Sequence, residues 1–183
     1  MARVRDIEID EVAAPLQPTY RRFVEEYGPF LNQVRVFAHR PPALKHIMGL
    51  LLDLADERLL AKRHLEIVLV VVSKLNECSY CVSHHQPRLV ELGLDAETAQ
   101  RILEPDCPGL DEVDRLVRDY AVQVTNSPQT LRDSMFERLR EHFSEAQIVE
   151  LTLRTALCGF FNRFNDALQI GLEDELLEQD AAQ

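Results

Sequence analysis

The chain has 183 residues, enough for one domain of ordinary size. Hydrophobic residues make up 46% and charged residues 28%, a balance that excludes wholesale disorder. The 31 Asp and Glu residues outnumber the 20 Lys and Arg residues, which gives a formal net charge of -11. Nucleic acid and anionic lipid both require a basic surface, so neither is expected as a main partner.

A membrane-spanning segment is not expected either. The longest purely apolar run is Ile67–Val72, whereas a helix needs about 20 residues to span a bilayer. Residues 1–10 alternate between charged and apolar side chains and lack the apolar stretch of a signal peptide. The sequence therefore predicts a cytoplasmic protein.

The first half of the chain predicts a series of helices. Pro41-Pro42 opens a segment with apolar residues at helical spacing, and proline is favoured in a first helical turn. A second helix is predicted over residues 56–74. It contains the β-branched Ile67–Val72 run, but no turn residue separates that run from the helical pattern before it, which favours a helix over a buried strand. Asn76-Glu77 marks a break, and the next helix runs from about Cys78 to a C-terminal Gly93.

The second half continues in the same way. Asp95 and Asp111 are predicted to cap the next two helices, and residues 131–143 form an amphipathic one. Ser144 with Gln147 forms a capping box that begins the longest apolar helix, which extends to about Ile170. No segment alternates as a strand does, so the predicted fold class is all-α.

The predicted organisation is a single domain in three parts. Residues 1–40 form an N-terminal helical extension that packs on the core, residues 41–171 form the helical core, and residues 172–183 form an acidic tail. The run Ile67–Val72 and the last core helix, residues 145–170, are apolar around more of their circumference than a small monomer covers easily. A homo-oligomer (a dimer, trimer or hexamer) is therefore expected. Asn162 and Asn165 on this helix need polar partners, with a subunit interface as one possible place.

The densest reactive cluster lies between residues 78 and 85. On a helix, Cys78 and Cys81 place two thiols within disulfide reach, and His85 projects between them to take a thiol proton. His84 is predicted to face outward or toward a neighbouring subunit. A haem attachment site is excluded because Val82, not histidine, follows the second cysteine. A zinc site would lack a fourth ligand, so a dithiol redox site is favoured, with zinc and two packed core cysteines as alternatives.

Glu66 is the second unusual residue. Its neighbours one turn on, Leu69 and Val70, are apolar, so its carboxylate points along an apolar stripe and can serve as a proton carrier. The alternative is an ordinary ion pair with Lys62 or Arg63 on the same helix.

These residues resemble a known family. Glu66, eleven residues, Cys78-x-x-Cys81, three residues and His85 resemble the E-x11-C-x2-C-x3-H pattern of alkylhydroperoxidase D-like (AhpD-like) proteins, in the carboxymuconolactone decarboxylase superfamily. The segment 76–81 resembles the N-x-C-x-Y-C variant of the peroxidase-related members, and residues 160–168 resemble the closing helix of the family.

The resemblance implies an antiparallel helical bundle that assembles into homo-oligomers, and it assigns roles to the motif. Cys81 would be the peroxidatic nucleophile, Cys78 would resolve its sulfenate as a disulfide, and His85 with Glu66 would relay protons. Tyr80 and His84 are secondary candidates. The best-known members carry a histidine between the two cysteines, where this chain has Ser79 and Tyr80.

The function that the resemblance implies is a dithiol peroxidase for hydrogen peroxide or small organic hydroperoxides. Electrons would come from a lipoyl-type carrier or another thiol system, with no metal or organic cofactor. Members that decarboxylate a muconolactone lack the cysteine pair, which argues against that chemistry. The alternatives are a thiol–disulfide oxidoreductase and a redox-sensing oligomeric module without peroxidase turnover.

Overall fold

The computed structural model describes residues 2–174, and every regular element in that range is a helix. This confirms the all-α prediction. The chain divides into two compact units, Met1–Arg58 with Asn165–Gln183, and Leu59–Phe164. The predicted division at residues 40 and 171 remains a prediction, and most of the proposed tail lies outside the described residues.

The first unit consists of short helices around an aromatic core. Its helices are α1 (Gln17–Arg22), α2 (Leu31–Phe37), α3 (Pro41–Ala43) and α4 (Gly49–Glu57). Five-residue π-helical stretches, Phe23–Tyr27 and Leu44–Met48, follow α1 and α3. The ring of Phe23, which is fully buried, stacks on Tyr27 with centroids 4.6 Å apart.

The second unit holds the longer helices. They are α5 (Lys62–Leu75), α6 (Ser79–Glu91), α7 (Ala96–Gln100), α8 (Glu112–Asn126), α9 (Asp133–Arg140) and α10 (Glu145–Leu168), the last of which continues past the unit boundary. Helix α5 packs against α6 and α8. The run Ile67–Val72 is helical and buried apart from Leu69, which explains why it lacks the polar face of a surface helix.

Three predicted helix starts are confirmed by their caps. The Asp95 and Asp111 side chains accept hydrogen bonds from the backbone N–H groups three residues on, at 2.8 and 2.7 Å. The backbone N–H of Ser144 donates to Gln147 Oε1 at 2.9 Å, as a capping box requires. These side chains satisfy N–H groups that a helix start leaves without partners.

One predicted helix is wrong in extent. The predicted segment 56–74 is not one helix: its first two residues end α4 at Glu57, and α5 begins only at Lys62. Arg58 ends α4 with φ of 50°, in the left-handed conformation that normally favours glycine. No glycine or proline marks this break, so the sequence carried no signal for it.

Homo-oligomerisation remains a prediction. Helix α10 exposes two large apolar side chains, Val149 at 65% and Phe160 at 41% of their surface. The other face of the helix is buried within the chain, including Leu151, Cys158 and Asn162. The surplus of apolar surface expected from the sequence is therefore smaller than a helical wheel suggests.

The connection between α5 and α6 is a Schellman motif, the hydrogen-bonded loop that commonly ends a helix. Cys78 N–H donates to the Ser73 carbonyl at 2.9 Å, and Glu77 N–H donates to the Lys74 carbonyl at 3.2 Å. Glu77 occupies the left-handed position, with φ of 56°. The same motif ends α6, with Gly93 in the left-handed position at φ of 90°.

The two motifs give a matched stability prediction. A left-handed conformation costs an L-residue roughly 1–2 kcal/mol, and glycine costs about 0.5–1 kcal/mol in unfolded-state entropy. Glu77→Gly should therefore raise the free energy of unfolding by about 0.5–1 kcal/mol. Gly93→Ala should lower it by about 0.5–1 kcal/mol by the same difference, and since a Cβ there meets nothing within 4 Å, the cost is purely conformational. Urea titrations of the two variants and the unmodified protein measure both; a destabilised Glu77→Gly contradicts the argument.

Candidate active site

Two thiols meet at the start of α6. Cys78 is the N-cap residue of the helix and Cys81 lies in its first turn, where Cys78 Sγ donates to Cys81 Sγ at 3.2 Å. Both are reduced thiols, and both residues are buried, with 0% and 4% of their surface exposed. A disulfide bond is about 2.05 Å long, so its formation requires the sulfurs to approach by roughly 1 Å.

The position of the thiols at a helix start has an electrostatic consequence. The first backbone N–H groups of a helix lack intrahelical partners and carry a partial positive charge. Anionic sulfur is favoured at such a position. Cys78 has extended rather than helical backbone angles. The helical spacing predicted from the sequence therefore applies to Cys81 and His85, which lie within α6, and not to Cys78.

The predicted relay residues are in direct contact. His85 Nδ1 lies 2.8 Å from Glu66 Oε2, and both side chains are buried. A carboxylate only accepts, so Nδ1 donates and Nε2 is the ring nitrogen that can take a proton. Cys81 and His85 are one turn apart on α6, so their side chains project from the same face.

Glu66 does not form the simple ion pair that was the alternative. Arg63 instead makes a bidentate contact with Asp114 on α8, with its Nη2 at 2.6 Å. Glu66 instead lies near Arg88 on α6, whose Nη1 is 3.8 Å from Glu66 Oε1. Glu66 thus links α5 to two residues of α6.

The secondary candidates also pack together. His84 Nδ1 lies 2.7 Å from the Tyr80 carbonyl oxygen, and the two rings are 4.4 Å apart. His84 is only 3% exposed in the single chain, so the prediction that it faces outward is wrong. The physical reason is that tertiary packing encloses this part of α6, where the His84 ring packs on Tyr80, and a helical wheel does not show such packing.

A polar cluster on α5 and α10 was not predicted as part of the site. Asn162 is fully buried; its Oδ1 accepts from Asn76 Nδ2 at 3.0 Å, and its Nδ2 donates to Ser73 Oγ at 3.3 Å. Ser73 Oγ also lies 3.4 Å from Cys158 Sγ. The sequence indicated that Asn162 needs a partner; the partners lie in the same chain, 86 and 89 residues away.

Cys158 is a third thiol close to the dithiol, but its environment is different. Burial raises the pKa of the Cys158 thiol to about 12, and the hydrogen bond with Ser73 only partly opposes this effect. The charged forms of Cys78 and Glu66 act in the same direction as burial. Cys158 is therefore a neutral core thiol.

Two further observations concern metal binding and membrane-spanning helices. Across residues 2–174, no three His, Cys, Asp or Glu side chains are grouped so that they could hold a metal ion. Within the same part of the chain, no helix is both long and apolar enough to cross a membrane.

Comparisons with known proteins bear on the fold. No protein-family model matches the chain. It is 27% identical over 108 residues to the uncharacterized protein YdfG of Bacillus subtilis, covering 56% of this chain and 71% of that protein. Its structure is similar to an uncharacterized peroxidase-related protein with an alkylhydroperoxidase AhpD core from Ralstonia eutropha, with a TM-score of 0.78, 22% identity, and coverage of 96% and 94% of the two chains.

A third similar protein is the debrominase Bmp8, which has been solved as a cysteine-to-alanine variant in complex with 2,3,4-tribromopyrrole. Its TM-score is 0.74 at 20% identity, with 96% of each chain covered. At these identities structural similarity defines the fold alone. The chain has the all-α alkylhydroperoxidase D-like fold, which confirms the fold expected from the motif.

The pKa of Cys158 predicts its reactivity. With a pKa of about 12, the thiolate population at pH 8 is roughly a thousandfold below that of an ordinary thiol. In the folded, reduced protein, iodoacetamide at pH 8 should therefore leave Cys158 unmodified while it alkylates the dithiol. Mass spectrometry of peptides measures this, and the same reaction in urea is the control in which Cys158 should react. Alkylation of Cys158 before Cys81 in the folded state would contradict the assignment.

Proposed function

We propose that the protein is a dithiol peroxidase that reduces hydrogen peroxide or small organic hydroperoxides. The observation that supports this most directly is the arrangement along α6. A 3.2 Å thiol pair lies at the helix start, and a buried histidine–carboxylate pair follows one turn later. The fold shared with a peroxidase-related protein is consistent with the proposal.

The first step oxidises one thiol. The Cys81 thiol gives its proton to His85, and the resulting thiolate attacks the distal peroxide oxygen. The O–O bond breaks as the S–O bond forms, which leaves a sulfenic acid on Cys81. The alkoxide that departs takes the proton from His85 and leaves as an alcohol, or as water when the substrate is hydrogen peroxide.

The second step forms the disulfide. Cys78 attacks the Cys81 sulfur, the S–O bond breaks, and the hydroxide that leaves takes the Cys78 proton to form water. An external dithiol then reduces the disulfide by thiol–disulfide exchange. The balance is one hydroperoxide and one dithiol consumed for one alcohol, one water and one donor disulfide formed.

Glu66 would serve the histidine rather than the substrate. Its hydrogen bond fixes the His85 tautomer with Nε2 as the proton acceptor, and its negative charge stabilises the imidazolium that forms when the proton arrives. The His85 and Glu66 side chains are both buried, so this interaction is only weakly screened by solvent.

The burial of the thiols favours small reaction partners. Cysteine residues that are 0% and 4% exposed are more accessible to a peroxide or a slender lipoyl-type dithiol than to a disulfide on a folded protein. This is the reason to prefer a peroxidase to a general thiol–disulfide oxidoreductase. A redox-sensing role without turnover would use the same disulfide. The peroxide-consumption experiment below distinguishes this role from a peroxidase.

Peroxide consumption with dihydrolipoamide as donor tests the proposal. The unmodified protein should turn over, and Cys81→Ser should reduce the rate to background. Cys78→Ser should consume one equivalent of peroxide and stop, with the sulfenic acid trapped by dimedone on Cys81. Disulfide formation without turnover would indicate the sensor instead. A Cys81→Ser variant that consumes one equivalent of peroxide and is trapped by dimedone on Cys78 would reverse the roles.

The relay gives a second prediction, on rate. General acid–base catalysis contributes about 10²–10⁴-fold, so His85→Ala should slow disulfide formation by peroxide by about a hundredfold or more. Glu66→Gln keeps a hydrogen-bond acceptor and removes the charge, so a smaller loss of about tenfold is expected. Quenched-flow mass spectrometry measures both rates.

The control for Glu66→Gln is Glu150→Gln. Glu150 is a buried carboxylate paired with Arg154 at 3.2 Å on α10, so its neutralisation perturbs a similar charge pair elsewhere. Glu150→Gln should leave the rate unchanged. An equal loss in both variants would mean that general destabilisation, not the relay, causes the effect.

A further inference from the structure

We propose that Asn162 is a positioning residue for the dithiol, acting through Asn76 and Ser73. This inference rests on the proposed redox activity of the Cys78–Cys81 pair. The Asn162 amide on α10 would fix the position of the connection between α5 and α6. It would thereby fix the distance between the two sulfurs.

The connection leaves Cys78 dependent on the residues before it. Only Asn76, Glu77 and Cys78 separate the last residue of α5 from the first of α6. The Cys78 N–H is held by the Ser73 carbonyl, and its own carbonyl accepts the first hydrogen bond of α6, from Val82 N–H at 3.0 Å. A shift of this short connection therefore moves Cys78 relative to Cys81.

Asn162 binds this connection on both sides. Its Oδ1 accepts a hydrogen bond from Asn76 Nδ2, and its Nδ2 donates one to Ser73 Oγ, the side chain of the residue whose carbonyl holds Cys78. Asn76 Nδ2 also donates to the Val72 carbonyl at 3.0 Å, which ties the same amide to the end of α5. Only a side chain with a donor and an acceptor makes both of the Asn162 contacts.

The approach of α10 to the connection is close. A Cβ atom on Gly159, one turn before Asn162, would lie 3.9 Å from Asn76 Nδ2. Asn162 is 0% exposed, so water does not readily replace its amide when the side chain is removed. A truncation would thus leave Asn76 and Ser73 less constrained rather than held by solvent.

The consequence for the dithiol follows from effective concentration. Two thiols held 3.2 Å apart form a disulfide with little loss of conformational entropy. When the connection is less constrained, the same disulfide must order it, so the reduced form becomes relatively more stable. Loss of Asn162 should therefore lower the equilibrium constant for disulfide formation.

The test is the redox equilibrium of the pair in dithiothreitol buffers, read by alkylation and mass spectrometry. Asn162→Ala should lower the equilibrium constant about tenfold, equivalent to about 30 mV. Asn76→Ala should lower it as well, and the double variant should lose less than the sum of the two single effects, since both variants remove one shared bond. Asn76 is only half-buried, so its variant tests the bond even if Asn162→Ala does not fold.

The matched control is Thr152→Val. It removes a hydrogen bond of 2.6 Å between Thr152 on α10 and Tyr120 on α8, away from the connection. It should lower thermal stability without moving the redox equilibrium. An equal redox shift in Thr152→Val, an unchanged equilibrium in Asn162→Ala and Asn76→Ala, or additive effects in the double variant would each overturn the inference.

The measurement also separates this inference from the proposed function. If the pair equilibrates with dithiothreitol but the protein consumes no peroxide, the peroxidase proposal fails and the inference is still decided by the variants. If the unmodified pair forms no disulfide in any buffer, both fail.

Discussion

The constraint on which the site depends is the shortness of the connection between α5 and α6. A Schellman motif ends one helix, and its last residue is already the cap of the next. Cys78 is therefore fixed by backbone hydrogen bonds from both helices. The same turn folds α6 back onto α5, so that Glu66 and His85, 19 residues apart in sequence, form a buried hydrogen bond.

The polar groups of the site are costly for stability. A buried histidine–carboxylate pair must offset the desolvation of charge, and well-packed apolar residues of similar volume often serve stability as well or better. Most of the core of the second unit is apolar, whereas Glu66, Ser73, His84, His85 and Asn162 are buried polar residues at α5, α6 and α10. These hydrogen-bonded polar groups lie beside the two thiols, as the proposed chemistry requires.

Local signals explain what the sequence predicted. Caps, apolar periodicity and the Cys78-x-x-Cys81 spacing depend on neighbouring residues, and these predictions hold in the structure. What was missed depends on other information. Arg58 and Glu77 adopt left-handed conformations without glycine, and the Arg63–Asp114 and Asn162–Asn76 contacts join residues 51 and 86 positions apart. Tertiary packing decides these features, and one sequence does not reveal it. The roles of Cys81, Cys78, His85 and Glu66 remain predictions.

Two thiols of this region have the same exposure but different surroundings. Cys81 and Cys158 are equally buried, at 4% each, so access of solvent does not distinguish them. Cys158 lies within α10, more than three turns from its start, and its thiol faces the Ser73 hydroxyl and the Leu69 carbonyl, neither of which carries a positive charge that would stabilise a thiolate. Cys81 lies in the first turn of α6, at the positive end of the helix and one turn from His85. The fold therefore places Cys81 and Cys158 in different electrostatic surroundings along their helices, and the proposed dithiol chemistry relies on this difference.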